Sequence, residues 1–392
     1  MVSRTGTALA VAAGVGGVAL NVIARKAPWR RYPWHLVGMA AGVVGTELAV
    51  PSAAAQLAVT GVAAALKAHR SKIGAAALAV SAGAAIGLAA LQKPANETRR
   101  HLQGAVDEAL GRGAVELWAP TPALPQKYRR AEFIVADGIR YGEDQALDVW
   151  RKAGVTGAPV VVQVHGGSWT GGNRRQQNLP LLAHLADNGW VCVAVDYRLG
   201  PKNRWPAQIV DVKRAIAWVR ANIERYGGDP SFIAVTGGSA GGHLAALAAV
   251  TGNDPAFQPG FADADTSVQA GALLYGVYDL SALNDDGSSG LRDHVHRVMI
   301  DDEPESPVFR AASPIHRLTP DSPPLLVVHG DRDEIVSVNQ AREFATRARE
   351  LGSPFGYAEL PYAHHAFDAV AGARTVATAH AVEQFLSYLA KK

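Results

Sequence analysis

A single cysteine among 392 residues, Cys192, excludes an intrachain disulfide and any zinc site built on cysteine pairs. It lies inside the apolar run Trp190-Val191-Cys192-Val193-Ala194-Val195 and is expected in the core of a strand. Excess charge is scarce as well. Against 38 Lys and Arg stand 35 Asp and Glu, and a net +3 is too small to build a nucleic-acid-binding surface. No internal repeat is visible. From residues 5–24 and 73–91 charge is missing altogether.

That last absence divides the chain. Residues 1–92 are mostly Ala, Val and Gly, whereas residues 128–392 carry most of the Asp, Glu, Trp, Tyr and Phe. At ~1.5 Å rise per residue, each uncharged run is long enough to cross a ~30 Å hydrocarbon core as a helix. Arg4, Arg25 and Lys26 bracket the first run, and Lys72 and Lys93 the second. Between them, residues 36–66 are apolar but broken by Glu47 and Pro51, which predicts one kinked span or two short helices. Small residues suit close helix contact in a bilayer, so residues 1–92 are expected to be membrane-associated. The other reading is a soluble Ala-rich helical hairpin. With three spans, Arg25, Lys26, Arg30, Arg31, Lys93, Arg99 and Arg100 share one side, which puts the C-terminal domain in the cytoplasm. Two or four spans would change that answer.

Residues 93–127 form a junction: a polar helix ending at Gly111–Gly113, then an extended stretch with Pro120, Pro122 and Pro125. From residue 128 onward, short apolar runs alternate with helix-length amphipathic stretches, which predicts an α/β domain with a mostly parallel central sheet. Strands are expected at 132–135, 147–151, 160–164, 190–196, 232–236, 270–275, 325–329 and 355–360. Helices are expected at 206–226, 337–351 and 375–389. Residues 284–318, rich in Asp, Ser and Pro, interrupt the pattern and read as a lid. Leu291, Val295, Val298, Met299 and Ile300 share one face there, for an acyl chain or for the core.

Chemistry enters at Phe232-Ile233-Ala234-Val235-Thr236-Gly237-Gly238-Ser239-Ala240-Gly241-Gly242-His243. This is a strand, then Gly-x-Ser-x-Gly, then an Ala-rich helix, the arrangement that exposes a serine nucleophile on a strained turn. Ser239 is the expected nucleophile, and the N–H of Ala240 at the helix start faces a developing oxyanion. Ser81, in Ser81-Ala82-Gly83, lacks the preceding strand and is a decoy. Upstream, Val160-Val161-Val162-Gln163-Val164-His165-Gly166-Gly167-Ser168-Trp169 is a strand ending in a glycine turn. Gly166 and Gly167 are expected to give oxyanion N–H groups, with His165 bracing their loop.

These motifs resemble the hormone-sensitive-lipase-like branch of the α/β-hydrolases. So do Asp196-Tyr197-Arg198-Leu199, Trp205-Pro206-Ala207 with Asp211, and Tyr226-Gly227-Gly228-Asp229-Pro230. The resemblance covers about 260 residues and leaves the apolar N-terminus unexplained. It implies an α/β-hydrolase fold and hydrolysis of carboxylic esters of short to medium acyl chains, without cofactor or metal. Two positions depart from the branch: Ser168 stands where a third glycine is usual, and Gly238 where an Asp usually precedes the nucleophile. The His-Gly-Gly-x-Trp form is similar to kynurenine formamidases too.

The resemblance also implies the acid and the base. Asp333 fits the family's His-Gly-x-x-Asp spacing after His329-Gly330, with Asp331 as the local alternative. In Ala363-His364-His365-Ala366-Phe367 the family's base stands two residues before Phe, which selects His365 over His364; His364 reads as loop surface. His294 and His296, in the insert, read as solvent-facing. The expected protein is a serine carboxylesterase or lipase acting on a small-molecule ester or lipid, held at a membrane through residues 1–92, with no nucleic-acid partner. A formamidase or acyltransferase would use the same residues, and a membrane-bound inactive scaffold is the reading of another class. Because every expected catalytic group lies beyond residue 160, excising residues 1–92 is expected to leave activity on soluble esters.

Overall fold

The computed structural model describes residues 4–27, 34–118, 132–283, 289–303 and 306–392. The expected proline linker and the start of the lid segment fall mostly outside these residues. Two compact units emerge, and they do not follow the boundaries read from the sequence. One joins Met1–Thr98 with two distant segments, Gly330–Ile335 and Leu360–Arg374; the other holds Arg99–His329, Val336–Glu359 and Thr375–Lys392.

The first unit is built on α1 (Arg4–Lys26), α2 (Trp34–Glu47), α3 (Ala49–Ala65) and α4 (Lys72–Ala90), the last followed by α5 (Gln92–Leu110). Helices α2 and α3 meet at 92°. Pro51 supplies the reason: its ring would clash with the carbonyl of Glu47 in a continuous helix, but in the first turn of a new one its missing N–H costs nothing. Within this unit the usual order of side chains is reversed. Gly6, Ala10, Gly14 and Gly17 are the buried face of α1, while Val15 is 66% exposed and Ile86 of α4 71%. A Cβ on Gly17 would come within 2.8 Å of Ala84 on α4, so the small residues set the helix spacing. Polar groups are satisfied between helices: Gln56 Nε2 donates to the Ala13 carbonyl and to Ser81 Oγ, and Asn21 Nδ2 to the Ala84 carbonyl. Ser81 is thus a packing residue.

The second unit carries an eight-stranded sheet in the order β1-β2-β4-β3-β5-β6-β7-β8. Its strands are β1 (Ile134–Arg140), β2 (Ala146–Trp150), β3 (Ala158–Val164), β4 (Val191–Val195), β5 (Gly228–Gly238), β6 (Ala270–Leu274), β7 (Leu325–Gly330) and β8 (Phe355–Leu360). Antiparallel pairing is found for β1–β2 and β2–β4, and β4, β3, β5, β6 and β7 run parallel. Apolar residues of these middle strands are buried on both faces, which explains their continuous Val, Ala and Leu runs. Cys192 is one of them, wholly buried in β4. Helices α6 (Leu179–Asp187), α7 (Ala207–Asn222), α8 (Ala240–Val250), α11 (Asn339–Leu351) and α12 (Ala373–Ala390) fill the alternation. The end of α5 belongs with the sheet, where Glu108 pairs with Arg349 of α11.

The lid segment contains two short helices, α9 (Ser289–Val298) and α10 (Pro307–Ala311). Val295, Met299 and Ile300 are buried, and the Met299 carbonyl accepts from the Trp205 N–H. Leu291 and Val298 on the same face are half-buried. His294 is half-buried, its Nε2 against the Ser168 carbonyl at 3.0 Å, which corrects the expectation that it faces solvent. His296 is exposed.

Candidate active site

Ser239 sits between β5 and α8 with φ 58° and ψ −124°, a conformation that side chains rarely adopt. Its neighbours leave no room for anything larger. A Cβ on Gly237 would meet the Gly241 carbonyl carbon at 2.5 Å, and one on Gly241 the Val164 carbonyl oxygen at 2.1 Å. Both glycines are therefore obligatory for the turn. The Ser239 N–H is held by the Leu274 carbonyl at 3.0 Å. The departure at Gly238 has a local cause: a Cβ there would lie 2.6 Å from the Tyr275 hydroxyl.

The glycine loop after β3 is bent by Gly167 at φ 122°, followed by Ser168 and Trp169 at φ 54° and 60°. His165 supports it from below. Its Nδ1 lies 2.7 Å from the Gly166 carbonyl, its ring stacks on Tyr197 at 4.3 Å, and the Tyr197 hydroxyl donates to its carbonyl. Burial lowers the His165 pKa against the hydrogen bond to Gly166, which suits a neutral bracing ring. Trp169 Nε1 donates to His243 Nδ1 at 3.2 Å, and His243 Nε2 faces the Ala312 carbonyl at 2.8 Å. Burial pushes His243 down to about 4, so it too stays neutral. One expected donor is otherwise engaged. The Gly166 N–H is given to the side-chain carbonyl of Gln177, which corrects its oxyanion assignment and leaves Gly167 and Ala240.

In the first unit, Asp333 and His365 meet: Asp333 Oδ2 is 2.7 Å from His365 Nδ1, with both residues buried. The Ile335 N–H bonds the other carboxylate oxygen at 2.9 Å. Burial works against a charged imidazole at His365, but the charges of Asp333, Glu334 and Asp368 outweigh it and raise the pKa. Asp331 is engaged by the neighbouring loop, accepting from the Tyr362 N–H at 2.6 Å. His364 is the surprise. Far from loop surface, it is fully buried against Glu334, 3.1 Å from its carboxylate.

A protein-family model described as BD-FAE matches residues 147–348, more than half of the chain. The chain belongs to the BD-FAE family of α/β-hydrolase esterases. It is 41% identical over 406 residues to the probable carboxylic ester hydrolase LipM of Mycobacterium tuberculosis (strain ATCC 25618 / H37Rv). That likeness spans 97% of this chain and 92% of LipM, so it includes the N-terminal helices. Esterase LipC of the same strain is 47% identical over 286 residues, 70% of each chain. Among solved structures, Thermogutta terrifontis esterase 2 phosphoramylated by tabun is 27% identical with a TM-score of 0.50, covering 60% of this chain and 87% of its own. This BD-FAE member is accordingly a carboxylic ester hydrolase of the serine class.

Three residues of this esterase escaped sequence reasoning. Gln177 lies 11 residues beyond Gly166 in a loop without motif character. Glu334, beside the expected acid, is given no role, and Tyr275 only the end of a strand. Only for Glu334 was there a signal, the doubled Asp-Glu and His-His steps in the two loops.

Proposed function

We propose that Ser239, His365 and Asp333 act as one triad on short- to medium-chain or lipid-like carboxylic esters presented at a membrane. The Asp333–His365 contact of 2.7 Å carries the reading, together with the strained turn of Ser239. Their chain order, Ser then Asp then His, is that of α/β-hydrolases. Asp333 holds the Nδ1–H of His365, so Nε2 is the basic nitrogen. It takes the proton of Ser239 as Oγ attacks the ester carbonyl. The N–H groups of Gly167 and Ala240 receive the oxyanion. His365 then protonates the leaving alcohol. A water, deprotonated by the same nitrogen, attacks the acyl-enzyme carbonyl and releases the acid, with the proton returning to Ser239.

Membrane attachment through residues 1–92 is supported by the reversed packing of the helices. Small residues inside and large apolar ones outside would be costly in water and are the ordinary arrangement in lipid. Arg4–Lys26 and the helix beginning at Lys72 are long and apolar enough to cross a bilayer, and the bent pair α2–α3 makes up to three spans. A three-span arrangement puts the catalytic groups on the cytoplasmic side.

The test combines a fluorophosphonate probe, p-nitrophenyl esters of increasing acyl length, and N-formylkynurenine. Labelling of wild type but not of Ser239→Ala, with turnover of esters above the formamide, is the expected result. Faster turnover of the formamide would replace the esterase reading by a formamidase. Release of the full-length chain from membranes at alkaline pH would remove the spans.

A further inference from the structure

The last-turn carbonyls of a helix have no partner within it and are usually capped by glycine turns or by basic side chains. In α1 they are capped from more than 300 residues away. The Ala24 carbonyl lies 3.1 Å from His364 Nε2, and the Arg25 carbonyl accepts from Arg332 Nε at 2.6 Å. Both donors immediately adjoin the acid and the base, one residue before Asp333 and one before His365. On its other side the His364 ring faces the Glu334 carboxylate and rests on α2, where Gly42 leaves it space. A Cβ on Gly42 would lie 2.2 Å from His364 Nδ1 and 2.3 Å from Cε1.

The two loops are joined along their length. The Asp331 N–H donates to the Leu360 carbonyl at 3.1 Å and the Arg332 N–H to the Ala363 carbonyl at 3.0 Å. Asp333–His365 and Glu334–His364 are then successive cross-links of one ladder, at 2.7 and 3.1 Å. Whatever fixes the second cross-link fixes the rotamers available to the first. Arg374, fully buried beyond the base, pairs with Glu47 at the end of α2 at 2.8 Å and donates to the Pro361 carbonyl at 2.7 Å. The helices therefore grip the base loop at both of its ends.

We propose that the N-terminal helices are part of the positioning apparatus of the esterase, acting through the His364–Glu334 pair to hold the base and acid in register. This rests on the triad reading above. His364 and Glu334 are positioning residues and do not touch the ester. A helix that is displaced, by loss of lipid or by strain in the bilayer, releases the pair and slows turnover without altering the nucleophile.

Gly42→Ala tests it in the full-length protein, since Ala favours helix while its Cβ strikes the His364 ring. The kcat for p-nitrophenyl butyrate should fall about ten- to a hundredfold, as misplacement of a catalytic group does. KM should change less than about threefold, because binding is not what is lost. Gly61→Ala, whose Cβ meets open space on α3, is the matched control and should keep wild-type kcat. Glu334→Gln keeps the shape of the pair and removes its charge. The charged groups around the two histidines are Asp333, Glu334 and Asp368 for His365, and Glu334 and Glu47 for His364. With one negative charge fewer, the acid limb of kcat/KM should move to lower pH and kcat should fall. The limb moves with the charge in either case; a pair that only adds stability would lower the melting temperature and leave kcat on the pH plateau at its wild-type value. Should Gly42→Ala fail to fold, Glu334→Gln decides alone. Wild-type plateau kcat in a folded Glu334→Gln would overturn the proposal, as would wild-type kcat in a folded Gly42→Ala. A wild type that does not label with fluorophosphonate would instead refute the triad reading.

Discussion

Around Ser239 the constraints come from its own turn, Gly237 and Gly241, and from neighbouring strands of one sheet, the Leu274 carbonyl and the end of β3. Around His365 they come from far away. Asp333 lies on a second loop, and the two loops are held by Ala24, Arg25, Gly42 and Glu47, more than 300 residues away. A nucleophile needs strain at one residue, which a strand-to-helix turn stores locally. A base and its carboxylate need two loops in register, which local structure does not supply. The helices that read as an anchor do so here, and the esterase chemistry is divided between two building principles.

The largest effects separate these principles by residue. Ser239→Ala should lower kcat by about 10⁶, the loss seen when a triad nucleophile is removed. Asp333→Asn should cost about 10⁴, because it leaves the nucleophile in place and spoils the imidazole tautomer. Both variants should melt near wild type. If Asp333→Asn retained wild-type turnover in initial-rate measurements, Asp331 would be the acid despite its bond to the Tyr362 N–H.

Next in size is a stability effect. Glu47 and Arg374 are both fully shielded, and removing one charge of such a pair strands the other at a cost of about 3–5 kcal/mol. Glu47→Gln should therefore lower the melting temperature of full-length protein in detergent. It should also lower kcat, since Arg374 donates to the Pro361 carbonyl at the start of the base loop. A stability loss with wild-type kcat in the surviving folded fraction would confine the helices to anchoring.

The contrast also explains what was legible in the sequence. The middle strands stand where their apolar runs put them, because a strand buried on both faces is written in consecutive residues, whereas β1, largely exposed, was expected at 132–135 and lies at Ile134–Arg140. The turn at Ser239 was legible for the same reason. His364 was misread as surface, since its partners Glu334 and Ala24 are 30 and 340 residues away and no periodicity encodes such pairs. On the same point, the contacts of Ala24, Arg25 and Glu47 with the two loops predict that excising residues 1–92 costs turnover, against the expectation from chain position alone. That expectation counted where the catalytic groups lie in the chain, not what holds them. The Gly166 donor was misassigned because a motif names backbone groups without naming Gln177, which occupies one of them.

The smallest expected effect is a shift in a titration, and its sign follows from the groups around His365. The base must be neutral to accept the Ser239 proton, so kcat/KM falls as pH drops through the His365 pKa. That pKa is raised: burial lowers it, but the negative charges of Asp333, Glu334 and Asp368 more than offset this. The acid limb of wild type should thus lie above the ~6.5 of an unperturbed imidazole. Stability runs the opposite way with pH. A raised folded pKa contributes stability below the unfolded value, and it is lost as pH rises through the folded one. Asp368→Asn removes the weakest of the three charges and should move the limb to lower pH, by less than Glu334→Gln does. A limb already below that of free imidazole would mean burial wins at His365. The carboxylates around it would then orient the ring without tuning it, and the helix-held half of the site would be a matter of geometry alone.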